Sequence, residues 1–238
     1  MPVKFFPYVV ALAMLQPLAG CSDENRSANV TTAAPATVTQ SSPAAVANTK
    51  LVVAFGDSLY AGYGVSPKES FPFELQNALV ARGISATVQN AGVSGDTSSA
   101  GLRRLAFTLD GLTRKPDLMM INLGGNDMLR GIDPGQTRAN LTAICTELKR
   151  RGIPIMLTGM IAAPNMGREY AEQFNPIYAD LAKTFDAKLY PFFLDGVVGN
   201  PALLLPDHVH PNGRGIDIIV AKVTPLVVDT LAPAAKVG

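Results

Sequence analysis

Residues 51–59 read LVVAFGDSL, an apolar run that stops at a glycine and continues as an acid, a serine and a leucine. Leu51–Phe55 has the length and the continuous apolar character of a buried strand. The tetrapeptide that follows it, Gly56-Asp57-Ser58-Leu59, therefore places Ser58 at the carboxyl end of this strand. Glycine, aspartate and serine are also ordinary turn residues, so the tetrapeptide alone is only suggestive of a functional site.

Further strand-like runs follow this one and alternate with helical patterns. The predicted strands are Ala86–Asn90, Asp117–Leu123, Ile153–Leu157 and Lys188–Phe192. The predicted helices are Pro72–Arg82, a segment through Leu102, Leu105 and Leu109, Gln136–Arg151, Glu169–Phe185, and a terminal helix that Pro225 is expected to kink. This alternation predicts an α/β fold, a three-layer doubly wound (flavodoxin-like) parallel sheet with helices on both faces. Ligand sites in such folds lie beyond the carboxyl ends of the strands.

The charge balance limits the classes of partner. The chain has 20 basic and 19 acidic residues, and Lys4 is the only charged residue in residues 1–20. Removing those residues leaves 19 against 19, a net charge of zero. Nucleic-acid binding needs a basic face, and aromatic base stacking is not suggested by a chain that lacks tryptophan. We therefore expect a small-molecule partner and no nucleic acid.

The amino-terminal residues have the layout of a secretory signal. Lys4 precedes a short apolar run that ends in small residues, and Leu18-Ala19-Gly20-Cys21 resembles the lipobox of bacterial lipoproteins. The expected organisation is a lipoprotein signal peptide over residues 1–20, a flexible tether over 21–49 that is lipid-anchored through Cys21, and a hydrolase domain over 50–234. This arrangement implies a bacterial cell-envelope protein, anchored in the outer membrane and facing the periplasm. The alternative is an ordinary cleaved signal with an incidental cysteine.

A base for Ser58 must come from the segment LLLPDHVHPN, which contains both histidines of the chain. A serine hydroxyl is a poor nucleophile until an imidazole accepts its proton. Asp207 lies three residues before His210, a spacing that lets its carboxylate bond one ring nitrogen while the other faces the serine. We interpret His208, adjacent to Asp207, as a supporting or surface residue.

Two further strand ends carry groups that could stabilise an oxyanion. NAGVSGDT spans residues 90–97, and LGGND spans residues 123–127. A glycine such as Gly95 lets a substrate approach its backbone N–H, and an asparagine such as Asn126 can donate from its amide. Each residue taken alone is equally consistent with an ordinary turn.

Taken together, these blocks resemble the SGNH, or GDSL, hydrolase family. The resemblance spans roughly residues 51–230 and is closest to the bacterial acyl-CoA thioesterase, lysophospholipase and arylesterase branch. It implies a catalytic triad of Ser58, Asp207 and His210, and an oxyanion hole formed by Ser58, Gly95 and Asn126. His208 departs from the family, in which a small or apolar residue is more usual at that position.

The expected activity is hydrolysis of carboxylic esters and thioesters through an acyl-enzyme, with no metal and no cofactor. The acyl side of the site is expected to be lined by six apolar residues, Leu129, Ile132, Ile161, Ala162, Pro164 and Met166. Two alternatives stay open at this point. One is a carbohydrate O-deacetylase that uses the same triad, and the other is a non-catalytic surface lipoprotein that only binds a ligand.

Overall fold

A computed structural model of the protein describes residues 49–232. Five strands in this part of the chain form one parallel sheet in the order β2-β1-β3-β4-β5. The strands are β1 Lys50–Gly56, β2 Ala86–Gly92, β3 Leu118–Asn122, β4 Ile155–Thr158 and β5 Lys188–Tyr190. This order is the flavodoxin-like one, so the predicted fold class is confirmed.

Eight α-helices of the described residues cover the sheet. They are α1 Ser58–Ala61, α2 Phe71–Ala81, α3 Ser98–Asp110, α4 Gly125–Leu129, α5 Pro134–Arg150, α6 Arg168–Phe174, α7 Ile177–Phe185 and α8 Gly213–Leu231. Helices α2 and α8 contact each other, and α5 contacts both α3 and α7. The connection from β1 to β2 crosses the sheet in the direction opposite to the later connections. Right-handed crossovers therefore place α2 on one face and α3, α5 and α7 on the other.

The sheet forms the core because its central strands are apolar on both faces. Every residue of β3 and β4 is buried, and β1 is buried from Leu51 to Gly56. Strands that are covered on both sides need no polar alternation. No helix within residues 49–232 is both long enough and apolar enough to cross a membrane.

The predicted helix Glu169–Phe185 is wrong as a single element. The structure has two helices, α6 and α7, and Asn175 and Pro176 lie between them. Proline has no N–H to donate and its ring clashes with the preceding turn, so it ends the first helix. The same residue type inside α8, Pro225, does not end that helix.

The ends of β1, β2 and β3 lie at one level of the sheet. Gly56 pairs with Gly92 on one side and with Asn122 on the other. A side chain at Gly92 would place its Cβ 2.3 Å from the backbone nitrogen of Ala61, so only glycine lets β2 end against α1. The three polar blocks of the sequence therefore start side by side.

Part of the predicted domain organisation lies outside the described residues. This applies to the signal peptide over 1–20, to Cys21, to residues 21–48 of the tether, and to residues 233 and 234 of the hydrolase domain.

Candidate active site

Ser58 is the first residue of α1, and only Asp57 separates it from the end of β1. Asp57 caps this short helix, and its Oδ1 accepts a hydrogen bond from the backbone N–H of Leu59 at 3.0 Å. The first N–H groups of a helix have no acceptor within the helix. The backbone N–H of Ser58 is therefore available for a bound group beside its own hydroxyl.

Ser58, His210 and Asp207 form a continuous hydrogen-bonded chain. Ser58 Oγ lies 2.8 Å from His210 Nε2, and His210 Nδ1 lies 2.7 Å from Asp207 Oδ2. The other carboxylate oxygen of Asp207 accepts from the backbone N–H groups of Val209 and His210, at 2.9 and 3.0 Å. These contacts link residues 152 positions apart in the sequence and give the arrangement of nucleophile, base and orienting acid.

The environment of Asp207 keeps its carboxyl ionised. Partial burial acts to raise its pKa, but the backbone N–H groups of His210 and Val209 and the His210 imidazole outweigh that effect. The pKa of Asp207 falls to about 2. The carboxylate is therefore negative at any pH at which His210 could act as a base.

A short hairpin-like segment after β5, residues 203–212, carries Asp207 and His210. The backbone N–H of Leu205 donates to the carbonyl of His210 at 2.8 Å, and that of Asn212 donates to Leu203 at 2.9 Å. Asn212 then caps α8 by accepting from the N–H of Gly215. The backbone that carries His210 is thus hydrogen-bonded within a turn and leads directly into α8.

His208 occupies the tip of that turn. Its φ of 57° is in the left-handed region, and its side chain is exposed and lines the rim of the cavity described below. No side-chain hydrogen bond of this imidazole occurs within residues 49–232. Of the two imidazoles, His210 is the one placed between Ser58 and Asp207.

Gly95 and Asn126 line the same cavity as Ser58 and His210. Gly95 has a φ of 85°, and its N–H finds no acceptor among the described residues. The amide of Asn126 donates to the carbonyl of Asp96 at 3.0 Å and lies 3.4 Å from Asp57 Oδ2. The first bond holds Asn126 against the Gly95 loop. The second, to Asp57, is the longer of the two, so it is the contact that a bound oxyanion could replace.

Asp57 is a buried acid directly beneath this group of donors. Its pKa is raised to about 7, chiefly by burial and also by the nearby carboxylates of Asp96 and Asp127, although hydrogen bonds from Leu59 and Asn126 act in the opposite direction. The folded state therefore favours a neutral Asp57 up to about neutral pH.

Two supporting groups, Asp127 and Tyr63, were given no role in the sequence analysis. Asp127 is fully buried and accepts from the backbone N–H and the hydroxyl of Ser98 and from the hydroxyl of Thr137. The ring of Tyr63 lies 4.5 Å from that of His210, centroid to centroid. A buried acid that follows asparagine could have been suspected from its position at a strand end, but its partners depend on helix packing.

A cavity of about 620 Å³ opens at the Ser58 hydroxyl. Ser58, Gly95, Asn126 and His210 line it, together with apolar side chains from the segments after β3, β4 and β5. Four of the six predicted acyl-side residues line this cavity, namely Leu129, Ile161, Ala162 and Pro164. Ile132 and Met166 do not line it. Within residues 49–232, no cluster of three or more metal-ligating side chains was found.

The sequence matches a known family over most of the described residues. The profile of the GDSL-like lipase/acylhydrolase family matches residues 54–218. An arylesterase of Vibrio mimicus is 40% identical over 170 residues, which are 71% of this chain and 84% of that protein. Thioesterase 1/protease 1/lysophospholipase L1 of Escherichia coli is 40% identical over 169 residues, 71% of this chain and 78% of that one.

A solved structure of an esterase from the SGNH-hydrolase family has a similar fold. The SGNH-hydrolase family esterase AlinE4 superimposes with a TM-score of 0.66 at 49% sequence identity. The match covers 78% of this chain and 98% of AlinE4.

Asp57 generates a pH-dependent prediction for stability. A carboxyl whose pKa is raised on folding stabilises the folded state below its unfolded pKa, and that contribution is lost as the pH rises through the folded pKa. Asp57→Asn keeps a capping oxygen but cannot ionise. The variant should therefore gain free energy of unfolding relative to wild type between pH 5 and pH 8, on the order of 2 kcal/mol.

Chemical denaturation at the two pH values measures this difference. Asp229→Asn, which removes an exposed carboxylate of α8, controls for the loss of one negative charge. An Asp57→Asn difference that does not grow with pH would show that the buried carboxyl is not destabilised by ionisation.

Proposed function

This chain belongs to the GDSL-like lipase/acylhydrolase family, and on that premise we propose that Ser58, Asp207 and His210 are its catalytic triad. The protein is a carboxylic ester hydrolase, of the class that includes arylesterases, thioesterases and lysophospholipases. The observation that carries the assignment of roles is the hydrogen-bonded chain from Ser58 Oγ through the His210 ring to the Asp207 carboxylate.

In the first step, His210 Nε2 accepts the proton of Ser58 as the hydroxyl oxygen attacks the carbonyl carbon of the ester. The 2.8 Å separation of these two atoms is within the range required for general-base catalysis. The imidazolium that forms is stabilised by the ionised Asp207, which also fixes the ring orientation.

The negative charge that develops on the carbonyl oxygen requires donors that are already in place. The backbone N–H groups of Ser58 and Gly95 and the amide of Asn126 supply them in this proposal. The left-handed conformation of Gly95 supports it, because a side chain there would be strained and would narrow the approach to the N–H.

His210 then donates its proton to the leaving alcohol or thiol, and the acyl group remains on Ser58. Water attacks this acyl-enzyme with His210 again as the base, and the serine is released. Bond breaking and proton transfer balance in both halves of the reaction without a cofactor.

The shape of the cavity supports acyl substrates with a chain longer than acetyl. A volume of about 620 Å³ lined largely by apolar side chains gives room for an extended chain beside Ser58. A carbohydrate O-deacetylase would need polar groups for a sugar, whereas residues such as Leu129, Ile161 and Val198 form the walls here.

We also propose that the protein is tethered to the bacterial cell envelope through a lipid on Cys21, at the outer membrane and facing the periplasm. The support is the sequence alone, namely the four residues 18–21 at the end of an apolar run. A lipid anchor would keep the enzyme close to a membrane that contains acyl esters.

The roles of the two histidines can be separated. Ser58→Ala and His210→Ala should each lower kcat by on the order of 10³ or more, whereas His208→Ala should stay within a few-fold of wild type. A fluorophosphonate probe should label wild type and His208→Ala at Ser58. Thermal unfolding of each variant checks that it is folded, and a silent His208→Ala enzyme would contradict the proposed triad.

The preference for acyl chain length can be measured with p-nitrophenyl esters from acetate upward. Each buried methylene contributes up to about 0.8 kcal/mol, so kcat/KM should rise by up to about fourfold per methylene until the cavity is filled. Ile161→Ala should flatten this rise, and Val80→Ala, which removes a similarly exposed side chain on α2, should not. Strict preference for acetyl esters, with activity on acetylated sugars, would favour the deacetylase.

Lipidation is tested by metabolic labelling with an alkynyl fatty acid followed by membrane fractionation. Cys21→Ser should lose the label and leave the membrane fraction. Cys145→Ser should keep both properties, because Cys145 is buried inside the domain. Retention of the label by Cys21→Ser would overturn the proposed anchor.

A further inference from the structure

Arg104 of α3 contacts two of the three chain segments that carry the proposed oxyanion donors, namely the end of β1 before Ser58 and the β2 segment before and after Gly95. Its Nη2 donates to the carbonyl of Gly56 at 2.8 Å, and its Nη1 donates to the carbonyl of Ala91 at 2.9 Å. Its Nε donates to the carboxylate of Asp96 at 2.5 Å. The guanidinium carbon lies 4.0 Å from the centroid of the Phe55 ring, so the group is also held from below.

The contact with Gly56 acts on the turn that carries the nucleophile. The carbonyl of Gly56 accepts from Arg104 and also from the backbone N–H of Val93 at 3.0 Å. On the other side of the same peptide, the N–H of Asp57 donates to the carbonyl of Asn122 at 3.1 Å. The peptide that leads into Ser58 is therefore fixed from both directions.

The contact with Asp96 acts on the other two proposed oxyanion donors, the backbone N–H of Gly95 and the amide of Asn126. Asp96 directly follows Gly95, and its backbone N–H donates to the carbonyl of Val93 at 3.1 Å. Its backbone carbonyl accepts from the amide of Asn126 at 3.0 Å. Holding the Asp96 side chain thus fixes the residue that orients Asn126 and that ends the Gly95 loop.

The chemistry of arginine suits this position. A guanidinium is always charged, is planar, and presents several donors in a rigid fork, so one side chain can satisfy two carbonyls and a carboxylate at the same time. The Arg104 side chain is only 20% exposed, which limits competition from water. A lysine could pair with the carboxylate as a point charge but lacks the geometry for all three partners.

We propose that Arg104 is a positioning residue for ester hydrolysis, which holds the Ser58 turn, the Gly95 loop and Asn126 in the geometry that binds the oxyanion. This inference rests on the oxyanion hole of the proposed function. Arg104 does not touch the substrate in this proposal. It acts only through the Ser58 turn and the Gly95 loop, and it reaches Asn126 through the backbone carbonyl of Asp96.

Three variants test it. Arg104→Met keeps the length and loses the donors, Arg104→Lys keeps the charge, and Arg103→Met is the control. Arg103 is adjacent on α3 and is exposed, and within the described part of the chain it donates only to the hydroxyl of Ser99, at 2.8 Å. The measurements are kcat and KM with a p-nitrophenyl ester, the affinity for an alkylboronic acid that forms a tetrahedral adduct on Ser58, and thermal unfolding.

Arg104→Met should lower kcat by about 10- to 100-fold with KM within about threefold, because misplaced donors weaken binding of the transition state more than binding of the substrate. The affinity for the boronic acid should fall in parallel with kcat. Arg104→Lys should lie between Arg104→Met and wild type. Arg103→Met should match wild type in all measurements.

A double variant separates positioning from a general loss of stability. If Arg104 acts through Asn126, then Arg104→Met should lower kcat less in an Asn126→Ala background than in wild type. Fully additive effects in the folded double variant would overturn the inference, as would a folded Arg104→Met enzyme with unchanged kcat. These outcomes differ from failure of the proposed function, which would appear as an active Ser58→Ala enzyme.

Discussion

The register of β1 in the centre of the sheet is the constraint on which the site depends. Gly56 pairs with Gly92 and with Asn122, so three strands end together. Ser58, Gly95 and Asn126 follow those paired residues by two, three and four positions. A chain advances at most about 3.3–3.6 Å per residue, so none of these groups can lie far from the common edge. A slip of one residue in either pairing would separate Ser58, the proposed nucleophile, from the proposed oxyanion donors.

The loops above that edge are held to one another by buried polar contacts. Asp127 joins the start of α3 to α5 through Ser98 and Thr137, and Arg104 joins the ends of β1 and β2 to Asp96. A buried polar group without a partner is expensive, so these bonds are satisfied only in one arrangement of the loops. The apolar core sets the level of the strands, and the polar contacts set the direction in which the donors point.

The sequence predicted the parts of the site that depend on order along the chain. Local patterns were enough to predict the strand ends, the position of Ser58 and the Asp207–His210 spacing. The structure brings Ser58, Asp207 and His210 together. Arg104 could not be read, because an arginine in an amphipathic helix is usually solvated and its partners are 8, 13 and 48 residues away. The break at Pro176 was missed because the apolar spacing of α6 and α7 is close to that of one continuous helix.

The oxyanion side of the site and the segment that carries Asp207 and His210 are built in different ways, and this difference bears on the proposed catalysis. The oxyanion side rests on the sheet, where Asp57 and Asp127 are buried and the loops are bonded to each other. The proposed base, His210, lies on a loop: its side chain is 17% exposed and that of Asp207 is 36% exposed, and the turn is held mainly by backbone bonds and by the cap of α8. Stabilisation of a developing charge requires donors that do not reorganise, whereas the imidazole must exchange its proton between serine, leaving group and water. A rigid oxyanion side beside a base that is carried by a surface turn meets both requirements.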